Sequence, residues 1–70
     1  MCDLANKIRG MRTVKKLSQE HLGKLLGVSR QTVNGWELGK SIPKLNRLSK
    51  IAKLFDYNPA DLINLLVKQM

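Results

Sequence analysis

Seventy residues make one domain, 1–70, and leave no room for a second. Thirteen Lys and Arg against five Asp and Glu give a net charge of +8, which favours a polyanionic partner such as nucleic acid or an anionic membrane face, while 43% hydrophobic residues exclude a disordered tail. The single cysteine, Cys2, excludes an internal disulfide and a cysteine metal cluster, and it suits a reducing cytosol.

Five helical segments follow one another with short breaks and no low-complexity stretch, long linker or internal repeat. The first opens with Asp3 as N-cap, whose carboxylate accepts orphan backbone N–H groups. Leu4, Ile8, Met11 and, next in register, Val14 form its inward stripe. Gly10 weakens its interior by ~1 kcal/mol relative to Ala. Ser18 caps a second helix that runs through Gln19, Glu20, Leu22, Leu25 and Leu26 and stops at Gly27, where a left-handed residue carries no Cβ penalty. Ser29 caps a third, over residues 30–38, which Gly39 ends. So short a break between these two helices forces a sharp corner.

Ile42-Pro43 opens the fourth helix, because proline suits a first turn whose N–H would be unpaired anyway. Leu45, Leu48, Ile51, Ala52 and Phe55 make its apolar face. Asp56-Tyr57 is the next break, and Asn58-Pro59 starts a fifth helix that runs towards the C-terminus. The longest unbroken apolar run in the C-terminal part is Leu65-Leu66-Val67, far short of a membrane span, and the N-terminus does not read as a signal peptide. These features predict a cytoplasmic protein, and the caps, glycine corners and spaced core argue for a folded globule rather than a basic amphipathic membrane binder.

The two helices around Gly27 hold the most information. Leu22, Leu26, Val28, Val33 and Trp36 must face the core. Gly23 is small where the helices cross, and a Cβ at Gly27 would strain the corner. On a helical wheel Val33, Trp36 and Glu37 group together, whereas Gln31, Asn34, Gly35 and Leu38 point the other way with Thr32 at one flank. Arg30 and Gln31 stand at the N-terminal end of the third helix. Arginine matches guanine O6 and N7, and glutamine matches adenine N6 and N7, each pairing worth about 1–3 kcal/mol of discrimination.

At this level of detail the sequence resembles the phage repressor/Cro-type helix-turn-helix proteins, also called the xenobiotic-response-element family. The resemblance runs from the first helix to Ile63. It is carried by Leu17-Ser18-Gln19-Glu20-His21-Leu22, by Gly27-Val28-Ser29-Arg30-Gln31-Thr32-Val33 and by Trp36-Glu37-Leu38-Gly39-Lys40. Pro43, Leu48, Ile51-Ala52 and Asp61-Leu62-Ile63 match the family's last two helices. The fold it implies is all-α, a five-helix lambda-repressor-like domain with the helix-turn-helix at helices two and three. In that family the third helix enters the major groove while the start of the second holds phosphate.

The resemblance and the exposed polar face together give candidate DNA contacts. Gln31 reads a base; Arg30 either reads a base or clamps a phosphate; Asn34 and Thr32 touch bases or phosphates. Gln19 is similar to the family's phosphate-binding glutamine, at a helix end whose N–H groups and dipole favour an anion. Ser18 serves as cap or contact. Lys40 and Lys44, just beyond the third helix, contact phosphates, and Lys50 and Lys53 make a solvated face. Gly35 and Leu38 depart from the family pattern. Gly35 allows close approach of the helix backbone to base edges, or it is a tolerated surface glycine. Leu38 meets a thymine methyl, or it is simply exposed. The resemblance also places Arg12 beside Glu37, where a salt bridge would tie the first helix to the third; as two unlinked surface charges they would add little.

The fifth helix has more apolar surface than one core needs, with Leu62, Ile63, Leu65, Leu66, Val67 and Met70 spread over about 200° against a stripe of ~100°. Either its last turns fray, or a partner covers it. In the family that partner is commonly a second copy, which makes Leu62, Leu66, Val67 and Met70 candidates for a homodimer interface. The function so implied is a transcriptional repressor on a double-stranded, two-fold symmetric operator. A second class is a protein-interaction module of antitoxin or adaptor type on the same fold. His21 has no companion ligands, Trp36 is in phase with the core, and Cys2 lies at a fraying end. With no catalytic set, phosphate loop or metal cluster, the sequence predicts no enzyme, cofactor or metal.

Overall fold

Capping hydroxyls and left-handed turns divide the chain into helices α1 (Asp3–Val14), α2 (Gln19–Leu26), α3 (Arg30–Leu38), α4 (Leu45–Leu54) and α5 (Pro59–Gln69). The structure is a computed structural model, and it describes residues 3–69; Cys2 and Met70 lie outside the described residues. Asp3 is already helical, so its carboxylate faces the positive end of the α1 dipole from the first turn rather than from ahead of it.

The sharp stops are local chemistry. Ser18 accepts a hydrogen bond from the His21 N–H at 3.0 Å, and Ser29 accepts one from the Thr32 N–H at 3.2 Å. Each hydroxyl satisfies a backbone donor that the helix itself leaves orphaned. Gly27 closes α2 at φ 74° and Gly39 closes α3 at φ 75°. α1 and α4 achieve the same reversal without glycine, through Lys16 at φ 58° and Asp56 at φ 54°. Asn58 Oδ1 accepts from the Ala60 N–H at 2.9 Å, and Pro59 follows it as the first helical residue.

The core contains Leu4 and Ile8 from α1, Leu22 and Leu26 from α2, Val33 and Trp36 from α3, Leu48, Ile51 and Ala52 from α4, and Leu62 from α5. Against it α2 packs on α3, α1 on α3 and α5, and α4 on α5 and α2. Gly23 lies at the tightest point: a Cβ there would stand 2.6 Å from the Val28 carbonyl oxygen. Backbone cannot yield as a side-chain tip can, so glycine is required for the turn to fold back onto α2. Arg47 on α4 fastens the other end of α2, donating to the Leu26 carbonyl at 2.8 Å.

Three sequence expectations are corrected. Val14 is 80% exposed, because α1 leaves the core at its last turn while the apolar spacing continues. Leu45 is 58% exposed and does not belong to the α4 core face. Ile42-Pro43 does not open α4: Lys40 N–H and Ser41 N–H both return to the Gly35 carbonyl, at 2.9 and 3.3 Å, so the chain must then cross in extended form to α4. The fixed φ of proline serves an extended connector as well as a helix start, and Pro43 is buried there.

One charge sits inside. The Glu37 side chain is 1% exposed. Arg12 grips it with two hydrogen bonds, Nε to Oε2 at 2.6 Å and the second guanidinium nitrogen to Oε1 at 2.9 Å. A third Arg12 nitrogen donates to the Leu17 carbonyl at 2.7 Å. Arg9 adds a longer ion pair to Oε1 at 3.8 Å. The hydrogen bond to Glu37 holds the Arg12 pKa above its ordinary value, against the opposing effect of burial. This pairing ties α1 to α3 across 25 positions of sequence.

Arg12→Ala is expected to cost about 3–5 kcal/mol in urea or thermal unfolding, because it strands a buried carboxylate. The double substitution Arg12→Met with Glu37→Leu is expected to recover most of that loss. Recovery distinguishes the cost of a stranded charge from the cost of lost packing.

Candidate nucleic-acid interface

The first turn of α3 carries the two side chains best placed to reach outward. Arg30 and Gln31 are exposed, and neither side chain forms a hydrogen bond among the described residues. Behind them Val33 is fully buried and Trp36 is 4% exposed, so the inner face of α3 is anchored while its outer face stays polar. Trp36 therefore packs in the core. Thr32 is half-buried, and its hydroxyl lies 3.0 Å from that of Ser29.

Asn34 and Gln19 meet across the gap between α3 and α2. The Gln19 amide nitrogen donates to Asn34 Oδ1 at 3.1 Å and to Glu37 Oε1 at 3.2 Å. A carboxylate only accepts, which fixes the Gln19 amide with its nitrogen inward. Its two N–H groups are then used, and the Asn34 oxygen is used with them. Asn34 is left with its NH₂ as a donor. Gln19 is left with its carbonyl oxygen and with its backbone N–H at the first turn of α2. The Ser18 hydroxyl already accepts from His21, but its own hydrogen remains available to a phosphate oxygen.

Gly35 has a neighbour that neither sequence reading anticipated. A Cβ at Gly35 would come within 2.8 Å of the Ser41 hydroxyl, where the chain folds back after α3. The glycine thus accommodates the connector, and the contact is with a short side chain rather than with backbone. Leu38 is 52% exposed on the outer side of α3. Lys40 and Lys44 are both exposed, and Lys44 occupies the N-cap position of α4 with no side-chain cap of its own.

The fifth helix distributes its apolar residues differently from the sequence expectation. Leu62 is fully buried in the core, so it has no surface to give a partner. Leu66 is half-buried and Val67 is 60% exposed. His21 is exposed, and no group of three or more His, Cys, Asp or Glu converges among the described residues. No helix among them is long and apolar enough to cross a membrane.

Sequence reasoning missed three participants. Arg9 lies one turn before Arg12 on the same side of α1 and donates to the Glu37 carbonyl at 3.5 Å; the three-residue spacing was the available signal. The inward role of Gln19 and the grip of Arg47 on α2 had no local signal, since their partners lie 18 and 21 positions away.

Comparison with known proteins gives the arrangement its setting. The helix-turn-helix family model matches residues 8–62. An uncharacterised HTH-type transcriptional regulator of Methanocaldococcus jannaschii is 44% identical over 59 residues, spanning 84% of this chain and 89% of that protein. The structure of the P22 c2 repressor in complex with a synthetic operator superposes with a TM-score of 0.78 at 30% identity, over 84% of this chain and 89% of that one. The restriction-modification controller protein C.AhdI from Aeromonas hydrophila superposes with a TM-score of 0.77 at 36% identity, over 87% and 88%. The chain belongs to the helix-turn-helix family of DNA-binding proteins, of the phage repressor and Cro type.

Proposed function

We propose that the protein is a transcriptional repressor that binds a two-fold symmetric operator as a homodimer. The observation that carries this reading is the pair Arg30 and Gln31, exposed and without hydrogen-bond partners among the described residues, at the first turn of a helix whose opposite face is locked into the core. A helix end of this kind fits the major groove, and two copies would place their α3 helices about one helical turn apart, ~34–36 Å. The likeness to the P22 c2 repressor supports repression, which would act by steric exclusion of polymerase.

Within this reading Gln31 reads a base, and Arg30 reads a guanine or clamps a phosphate. Asn34, with only its NH₂ free, addresses acceptor atoms on base edges, such as guanine O6 and N7 or thymine O4. Phosphates are met at the start of α2 by the Ser18 hydroxyl and the Gln19 backbone N–H, where the helix dipole favours an anion. Lys40 and Lys44 neutralise further phosphates beyond α3, and Thr32 takes one at the flank. Leu66, Val67 and Met70 provide the dimer contact; burial removes Leu62 from that set.

Selection of bound duplexes from a random pool is expected to return an inverted repeat. Gln31→Ala is expected to relax preference at one base position per half-site, by about 1–3 kcal/mol. Lys40→Ala is expected to weaken all sequences alike and to lower the slope of log affinity against log salt by about one unit. Equal weakening on all sequences by Gln31→Ala would remove it from the base-reading set. Val67→Glu, at an exposed position, is expected to shift sedimentation to monomer and to weaken binding to the full repeat more than to a half-site; unchanged sedimentation would place the dimer contact elsewhere.

A further inference from the structure

Helix α1 contains a glycine that the packing of the chain does not explain. Gly10 stands mid-helix without a left-handed backbone, and a Cβ built there meets nothing within 4 Å. No internal contact requires it, although glycine costs a helix interior ~1 kcal/mol relative to alanine. The empty space beside it is part of an open groove of about 350 Å³ between α1 and the end of α4. Met11 and Phe55, both half-buried, line this groove with Val14, which is 80% exposed. The charged side chains lining it are Lys7 and Lys15.

We propose that this groove receives an acidic amphipathic helix from another protein. Met11, Val14 and Phe55 offer an apolar floor for the anchor residues of such a helix. Gly10 lets a second backbone approach α1 where any side chain would hold it off. Lys15 complements carboxylates on the partner's rim, and Lys7 joins it by leaving the Tyr57 ring, over which its ammonium rests at 4.6 Å. A second copy of this chain fits poorly at this groove, since a two-fold contact across it would bring Lys7 and Lys15 against their own counterparts. Duplex DNA fits poorly too, since phosphate gains nothing from Met11, Val14 and Phe55. The groove also lies on the flank of α1 away from Arg9 and Arg12, which face α3. Operator and partner can therefore be held together, and the inference does not depend on the repressor reading.

The test titrates a synthetic peptide into the isotope-labelled full chain and follows backbone NMR shifts. The peptide has roughly 16 residues, with Leu at helical spacing on one face and Glu elsewhere, enough to form a helix once bound. Controls are a scrambled Glu/Leu peptide and a Lys/Leu version. The expected result is shifts centred on Gly10, Met11, Val14, Lys15 and Phe55, produced by the patterned acidic peptide and not by the controls. Gly10→Gln should keep the fold, since open space surrounds the position, raise the melting temperature, and weaken the peptide about tenfold. Lys15→Glu provides a second variant, expected to weaken the Glu peptide and strengthen the Lys peptide. Shifts centred instead on Arg30 and Gln31 or on Val67, equal binding of the scrambled peptide, or indifference to both substitutions would overturn the proposal. So would concentration-dependent shifts at the groove without peptide, which would assign it to a second copy. Duplex binding measured on the same Gly10→Gln sample should be unchanged, which separates failure here from failure of the operator reading.

Discussion

The arrangement rests on a carboxylate that water cannot reach. An isolated buried charge would cost several kcal/mol, a large share of the stability of a 70-residue domain. Glu37 escapes that penalty because Arg12 meets it with a planar fork, and because Gln19 takes up the remaining capacity of one oxygen. The groups that satisfy it come from α1 and α2, while the carboxylate itself belongs to α3. Three helices can reach this satisfied state only in one relative arrangement. The buried charge therefore sets the pose of α3 more strictly than apolar packing alone, which tolerates small slides between helices.

The rest of the fold presents that pose to the outside. Gly23 and Gly27 let the chain turn tightly enough for α3 to cross α2, and Ser18 and Ser29 define where each helix begins. Arg47 binds the C-terminal carbonyl of Leu26 and so couples α4 to the same corner. The outcome is a polar helix end carried on an anchored frame. Arg30 and Gln31 are exposed side chains on a helix whose opposite face is held in the core by Val33 and Trp36.

Much of this was legible in the sequence because it is local. Ser18, Gly27, Ser29, Gly39 and Asn58-Pro59 act within three or four residues of themselves, and each marks a boundary that the structure places within a residue. The core positions Leu22, Leu26, Val33 and Trp36 follow from helical period alone. Val14 and Leu45 did not, because periodicity records which face a residue takes and not whether the helix still lies against anything. The start of α4 was obscured by Pro43, whose preferred backbone angle serves two conformations; the returning bonds from Lys40 and Ser41 to Gly35 decided between them. Lys16 and Asp56 hide two left-handed turns that glycine would have advertised. The inward turn of Gln19 was beyond reach for a simpler reason, since the atom that commands it lies on the next helix, 18 positions along the chain.

That last feature alters how binding preference can evolve in this protein. The amide of Gln19 is oriented by Glu37, and it in turn dictates which end of the Asn34 amide faces outward. Replacing Gln19 by a residue that cannot donate would free the Asn34 oxygen to rotate outward and change the chemical vocabulary of α3 from donor to acceptor. Under the proposed operator reading, a shift in preference would then arise at position 19 through its effect on Asn34, and positions 19 and 34 would change as a couple rather than one at a time.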